Sequence, residues 1–216
     1  MPKTALVINM YLVALSMLFA TFILVANITA VKIIAVGSDG IDAGIIAYPI
    51  TFLISDVISE VYGKKTATKV VWLGFLVNLV MVSTIFIAGK LPAATFWTDQ
   101  NAFDTILGSV PRIVLASMIA YIVSQNHDVI AFQMWKTFTK GRLLWVRNTA
   151  STLVSQAIDT FLFVVIAFSG LYSWDILWSM IFLTYTIKAL AAIADTPLVY
   201  LVTWYLKKSP RNQHLI

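Results

Sequence analysis

Between Lys3 and Lys32 the chain carries no charged side chain, and apolar stretches of similar length recur to its far end. A bilayer core about 30 Å thick takes roughly 20 apolar residues per helix, so a run of this kind is long enough to cross it. Composition supports that reading: the 216 residues are 60% hydrophobic and 12% charged, with a mean hydropathy of +0.87. So little polar surface suits lipid rather than water. The chain has room for about six spans with short connections and none for a separate soluble domain, so residues 1–216 are read as one domain. The first run exceeds a signal-peptide core and lacks a small-residue cleavage site followed by a polar turn. It is expected to remain as the first helix.

The expected spans are Ala5 to Val31, Ala43 to Tyr62, Thr66 to Gly89, Val110 to Trp135, Leu144 to Ser169 and Trp174 to Leu206. Turn-like or charged segments join them, including Gly37-Ser38-Asp39-Gly40, Gly63-Lys64-Lys65 and the loop from Lys90 to Ser109. Orientation follows from Lys and Arg, which concentrate in cytoplasmic loops. Lys3, Lys64, Lys65, Lys69, Lys136, Lys140, Arg142, Arg147, Lys207, Lys208 and Arg211 fall on the side shared by both termini, eleven of the 15 basic residues. The opposite loops hold Lys32, Lys90 and Arg112 together with the acids Asp39, Asp42, Asp99, Asp104 and Asp175. The expected fold is therefore all-α, a polytopic integral membrane protein built as a six-transmembrane-helix bundle with both termini cytoplasmic. The net charge of +5 is then a matter of topology, and no nucleic-acid partner is needed to account for it.

Asp56, Glu60, Asp128, Asp159, Asp195 and Lys188 fall inside apolar spans. An ionised group at mid-membrane costs about 2.5 kcal/mol or more, and such residues usually mark a substrate or ion path. The blander alternative is polar contact between helices, each on the order of 0.6 kcal/mol. In the second span Asp56, Ser59, Glu60 and Gly63 share a face at helical spacing. Glu60 lies one turn from Lys64 and Lys65 and reads as an interfacial salt bridge, which leaves Asp56 as the deeper site candidate.

The fourth and fifth spans repeat one string, Val-Ser-Gln-x-x-Asp-x-x-x-Phe. It occupies Val123, Ser124, Gln125, Asp128 and Phe132, then Val154, Ser155, Gln156, Asp159 and Phe163. A short loop makes the two helices antiparallel, so the string is an inverted local repeat of the kind that builds transporter sites, or else a packing motif. Counted from the loop, Gln125 and Gln156 reach similar depth. Arg147 and Asn148 open the fifth helix, and Ser151, Ser155 and Asp159 continue along nearly the same stripe. Arg147 reads equally as a headgroup anchor. In the sixth span Lys188 and Asp195 share a face, with Thr196-Pro197 after the acid inviting a kink, and Lys188 is expected to neutralise an acid on another helix. Asn27 in the first span is a further polar residue on an apolar background.

Several chemistries have nothing to stand on. Without cysteine there is no disulfide, thiol nucleophile or Cys-based metal site. Gly63-Lys64-Lys65-Thr66 lacks the earlier glycine and the Ser/Thr of a P-loop, and Gly-x-Ser-x-Gly, His-Glu-x-x-His and Gly-x-Gly-x-x-Gly are all missing. No enzyme and no cofactor are expected. His127 has no second histidine in any span with which to build a metal site and reads as structural or interfacial. Trp72, Trp97, Trp135, Trp145, Trp174, Trp178 and Trp204 lie mostly near span ends, as belt residues do.

Tyr48-Pro49-Ile50-Thr51-Phe52 through Asp56, Glu60 and Val61-Tyr62-Gly63-Lys64-Lys65, the two Ser-Gln-x-x-Asp strings, Arg147-Asn148-x-x-Ser151-Thr152, and Lys188 with Asp195-Thr196-Pro197 resemble the queuosine precursor transporters of the vitamin uptake transporter family. The resemblance runs from Asn27 to Tyr200. It implies a six-helix importer in the bacterial inner membrane that carries 7-cyano-7-deazaguanine and 7-aminomethyl-7-deazaguanine, salvaged precursors of a tRNA base.

A guanine-like edge offers adjacent N–H donors that one carboxylate accepts together, while an amide donates to its carbonyl. Asp159 or Asp128 with Gln125 and Gln156 would read that edge, Tyr48, Phe132 or Phe163 would stack on the ring, and Asp56, Lys188 and Asp195 would form the network that changes between states. The alternatives are an importer of another heterocycle or vitamin, acting as the binding subunit of an ATP-driven complex, and a scaffold whose polar residues only hold helices together. The expected partners are the small-molecule deazaguanine and membrane lipid. Small residues such as Ala189, Ala191 and Ala192 allow packing within a protomer or in a homodimer.

Overall fold

A computed structural model describes residues 9–138 and 144–208. The elements run α1 (Met10–Thr29), β1 (Ile33–Val36), β2 (Asp39–Asp42), a 3-10 turn (Ala43–Ile46), α2 (Tyr48–Tyr62), α3 (Lys64–Lys90), α4 (Gln100–Leu107), α5 (Val110–Phe138), α6 (Leu144–Phe168) and α7 (Trp174–Lys208). Six of these helices fall within or close to the six apolar stretches, but α2 begins only at Tyr48, the expected start at Ala43 being taken by the 3-10 turn. By length and composition, three stretches among the described residues are able to cross a membrane: Met10–Thr29, Lys64–Lys90 and Gln100–His127. Of the others, α2 has 15 residues, and α6 is apolar over the shorter described stretch Leu153–Phe168.

Local chemistry sets the helix ends. Asn9 caps α1, its side chain accepting from the amides of Tyr11 and Leu12 at 3.0 and 3.2 Å, which supplies partners for amides that a helix start leaves open. The same Oδ1 accepts from the Tyr62 hydroxyl at 3.3 Å, tying the start of α1 to the end of α2. Gly63 separates α2 from α3 at φ +86, in the left-handed region that other residues avoid. The Arg112 guanidinium near the start of α5 donates to the Ile166 carbonyl at 2.7 Å and to the Ser169 carbonyl at 2.6 Å. It thereby satisfies carbonyls that the end of α6 exposes, where a cation also complements the helix dipole.

Arg112 meets Ser169, Ser124 meets Asp159, and His127 meets Ser155. The partner number falls as the α5 number rises, so α5 and α6 lie antiparallel. Two apolar cores flank the polar residues. One joins α1, α2 and α3 through Phe19, Ile54, Ile58, Val70 and Phe75. The other joins α5, α6 and α7 through Ile113, Ala116, Phe163, Phe168, Leu177 and Met180. The outer faces stay apolar: Leu73, Leu76, Val80 and Phe86 on α3 and Phe182, Leu190 and Leu201 on α7 are exposed. Exposed apolar surface of this extent suits lipid. Trp72, Trp97, Trp174, Trp178 and Trp204 are exposed as well.

Two connections differ from expectation. The loop from Lys90 to Ser109 contains α4, whose Gln100 donates to Asp104 one turn on at 2.9 Å, and eight residues are too few to stand out as a periodic pattern. The connection around Gly37 is an antiparallel hairpin pairing Ile33 with Asp42 and Val36 with Asp39 across a Gly37-Ser38 turn. Only one end of it faces outward: Ile41, Asp42, Ala43, Gly44 and Ile45 are buried, and α7 packs against β2. Gly44 permits this, because a Cβ there would stand 2.7 Å from the Ala26 carbonyl oxygen and 2.8 Å from Asp42 Oδ1.

Candidate functional site

Two adjoining cavities run between the helices. The deeper, about 100 Å³, is lined by aromatic and small polar side chains, Tyr48, Thr51, Phe52 and Ser55 from α2 with Ser117, Tyr121, Asp159 and Phe163 from α5 and α6. The second, about 300 Å³, is a polar vestibule holding Asp56 and Ser59 from α2, Lys64 from α3, Gln125 from α5, Gln156 from α6 and Lys188 from α7. Phe52, Ser55, Val71 and Tyr121 line both, so the two form one path. An apolar enclosure with a few convergent polar groups is the common form of a small-molecule site.

Asp159 lines the first cavity and its partner Lys188 the second. Its Oδ2 accepts from Lys188 Nζ at 2.8 Å, with the two side chains 22% and 3% exposed, and its Oδ1 is 3.4 Å from the Ser124 hydroxyl. Lys188 neutralises an acid on another helix, Asp159. Its ammonium also stands 5.1 Å from the centre of the Tyr48 ring, a cation–π arrangement. Tyr48 in turn stacks on Phe52 at 6.2 Å and meets Phe163 edge-on at 6.4 Å. A carboxylate, an ammonium and aromatic faces therefore converge where α2, α6 and α7 meet.

The repeated string does join the helices as an antiparallel pair, since Ser124 of the first copy meets Asp159 of the second. Gln125 and Gln156 line the same vestibule, and the Gln156 Oε1 is buried without a hydrogen-bond partner. Ser155 is buried and takes a 3.0 Å contact from His127 Nδ1, in keeping with a structural histidine. Asp56 is exposed within the vestibule.

Asn27 stands apart. It is buried and donates to Asn78 Oδ1 at 2.7 Å, while Asn78 donates to the Gly74 carbonyl at 2.9 Å. This amide pair clamps α1 to α3 and lines neither cavity. The side chains of Asp128, Phe132, Arg147, Asn148, Ser151 and Asp195 lie outside the described residues. The helix of α7 continues through Pro197.

Asp42 is a residue that sequence reasoning passed over. Read as a solvated loop acid, it is fully buried; burial pushes its carboxyl up to about 6, with the Lys188 ammonium pulling the other way. Its only trace in the sequence is its place next to the apolar run Ala43-Gly44-Ile45-Ile46. Ser117 and Tyr121, one turn apart on α5, were likewise hidden among ordinary helix residues.

A carboxylate with one oxygen held by an ammonium, an unpartnered amide oxygen and stacking aromatics suit a flat heterocycle with adjacent N–H donors. Residues 42–202 match the model of the family described as "Putative vitamin uptake transporter". The chain belongs to that family. It is 39% identical over 180 residues to a Bacillus subtilis protein named "Probable queuosine precursor transporter", an alignment covering 81% of this chain and 77% of that one. Over 128 residues it is 30% identical to a Haemophilus influenzae protein of the same name and 29% identical to the Escherichia coli "Queuosine precursor transporter". These alignments cover 58% of the chain and about half of each relative, 51% and 54%. No solved structure matches the chain. Family membership makes this a bacterial membrane transporter.

Proposed function

We propose that the chain imports queuosine precursors, 7-cyano-7-deazaguanine and 7-aminomethyl-7-deazaguanine, across the bacterial inner membrane. It acts as a carrier, moving the base without altering it. Residues 1–216 form one domain, and α1, α2, α3, α5, α6 and α7 are its six spans, with both termini cytoplasmic. In that orientation the vestibule at Lys64 opens toward the cytoplasm, and the described state faces inward.

The observation that carries the reading is the Asp159–Lys188 pair, with Asp159 in one cavity and Lys188 in the other, on a bundle whose relatives are named for this cargo. Asp159 accepts the adjacent ring N–H and exocyclic amine of the deazaguanine, Gln125 and Gln156 hydrogen-bond its remaining polar edge, and Tyr48 and Phe163 hold the ring. Asp56, Ser155 and Lys188 belong to the same path, as do Asp128, Arg147, Asn148, Ser151 and Asp195 by their place in the sequence. Asn27 serves the helix clamp. Uptake of labelled 7-cyano-7-deazaguanine into membrane vesicles tests this: Asp159→Asn and Gln156→Ala should each depress it strongly at equal protein level. Near-normal uptake in both variants would remove the assignment.

A further inference from the structure

Asp42 ends β2, in the connection between α1 and α2, where an acid is ordinarily solvated. Here the hairpin carries it under α7. It is fully buried, and neither carboxylate oxygen accepts a hydrogen bond. The backbone amides of Asp42 and Gly44 favour its charged form only in part, against the larger cost of burial. A buried carboxylate in that condition is costly and is retained where a counter-charge is within reach. Among the described residues the counter-charge is Lys188, whose ammonium acts on Asp42 electrostatically while its 2.8 Å bond goes to Asp159. An ammonium has three N–H donors; Lys188 is hydrogen-bonded to one acid and acts electrostatically on a second, on a helix that packs against β2.

We infer that Asp42 is the second counter-ion of Lys188, and that a substrate engaging Asp159 hands Lys188 over to Asp42. The hand-over rests on the carrier reading above; the pairing of Asp42 with Lys188 does not. A heterocycle presenting two adjacent N–H donors takes both oxygens of Asp159, and Oδ2 is the one that Lys188 now holds. An ammonium displaced into a buried site without an acceptor opposes binding. The open oxygens of Asp42 remove that opposition. Asp42 is then a positioning residue, acting on substrate through Lys188, and it links the cargo site to the hairpin packed against α7.

Two measurements on the purified full chain separate the parts. The first needs no ligand: melting temperatures of Asp42→Asn, Asp159→Asn, the double variant, and the double variant carrying Lys188→Met. Either acid alone should neutralise Lys188, so the double variant should fall on the order of 10 °C below the sum of the single effects, and Lys188→Met should restore it. Additive losses, or no rescue, would overturn the pairing. A double variant that does not fold at all but recovers with Lys188→Met supports it.

The second is binding of 7-cyano-7-deazaguanine. Asp42→Asn should weaken it in the presence of Lys188 and leave it unchanged in the Lys188→Met background. Equal weakening in both backgrounds would overturn the hand-over. No binding by the unsubstituted protein, alongside a non-additive stability cycle, would overturn the carrier reading and the hand-over while upholding the pairing.

Discussion

The Lys188 ammonium on α7 lies 2.8 Å from Asp159 Oδ2 on α6 and 5.1 Å from the centre of the Tyr48 ring on α2. One cation thus ties three helices at the point where the two cavities meet. In a low-dielectric bundle such a pair stabilises little by itself, but removing one side of it leaves an uncompensated charge.

Lys188→Met should therefore be the most damaging single change to stability at this site, costing about 3–5 kcal/mol, since it strips the counter-charge from Asp159 and from Asp42 together. Asp159→Asn should cost much less, because Asp42 remains to face Lys188. Thermal unfolding followed by size-exclusion chromatography ranks the two. The opposite order would be inconsistent with one lysine shared by two acids.

Tyr48 contributes an aromatic face in the deeper cavity. Base stacking on such a face is worth about 1–3 kcal/mol, so Tyr48→Leu should lower affinity for 7-cyano-7-deazaguanine by roughly 5-fold or more. Tyr48→Phe keeps the ring and should stay close to the unsubstituted protein. Calorimetric titration of both variants makes the comparison.

The amide pair of Asn27 and Asn78 predicts a change of stability with no change of affinity. Asn78→Ala removes the acceptor of the Asn27 amide inside the bundle and should cost about 1 kcal/mol. Bound substrate should then stabilise the variant by the same increment as the unsubstituted protein. A loss of that increment would place Asn27 at the cargo after all.

Asp42 gives a pH dependence with a defined sign. Its carboxyl is raised from 3.8 to about 6 in the folded chain, so the folded state holds this proton more tightly than the unfolded one. The associated stability is fully present below about 3.8 and is lost as pH rises through about 6, by an amount on the order of 3 kcal/mol. Asp42→Asn removes this contribution. The difference in melting temperature between Asp42→Asn and the unsubstituted protein should therefore shift in favour of the variant from pH 4 to pH 7.

The helices were legible because hydrophobic runs and their charged ends are long-range, redundant signals. The pairing of the two Ser-Gln-x-x-Asp strings was legible too, since a short loop forces antiparallel neighbours and identical spacing then sets partners across the seam. Particular contacts were not. Nothing in the sequence pairs Asn27 with Asn78 rather than with substrate, because an amide looks the same in either role. Asp159 was distinguished from the other span acids only when Lys188, on a different helix, was seen to reach it. Asp42 was misjudged for a physical reason: loop acids are ordinarily hydrated, and its burial depends on a tertiary fold-back of the hairpin beneath α7, which no local pattern encodes.

That hairpin also constrains how the chain can vary. Side chains in paired strands alternate between faces, so moving the register by one residue exchanges the two sides. Ile41 and Asp42 are adjacent and both buried, held there by the pairing of Ile34 with Ile41 and Ile33 with Asp42. Connections on the surface of a protein commonly absorb insertions and deletions. This one should not: a single residue gained between Lys32 and Gly44 would swing the carboxylate away from Lys188, so its length is as much a part of the transport apparatus as any side chain in the path.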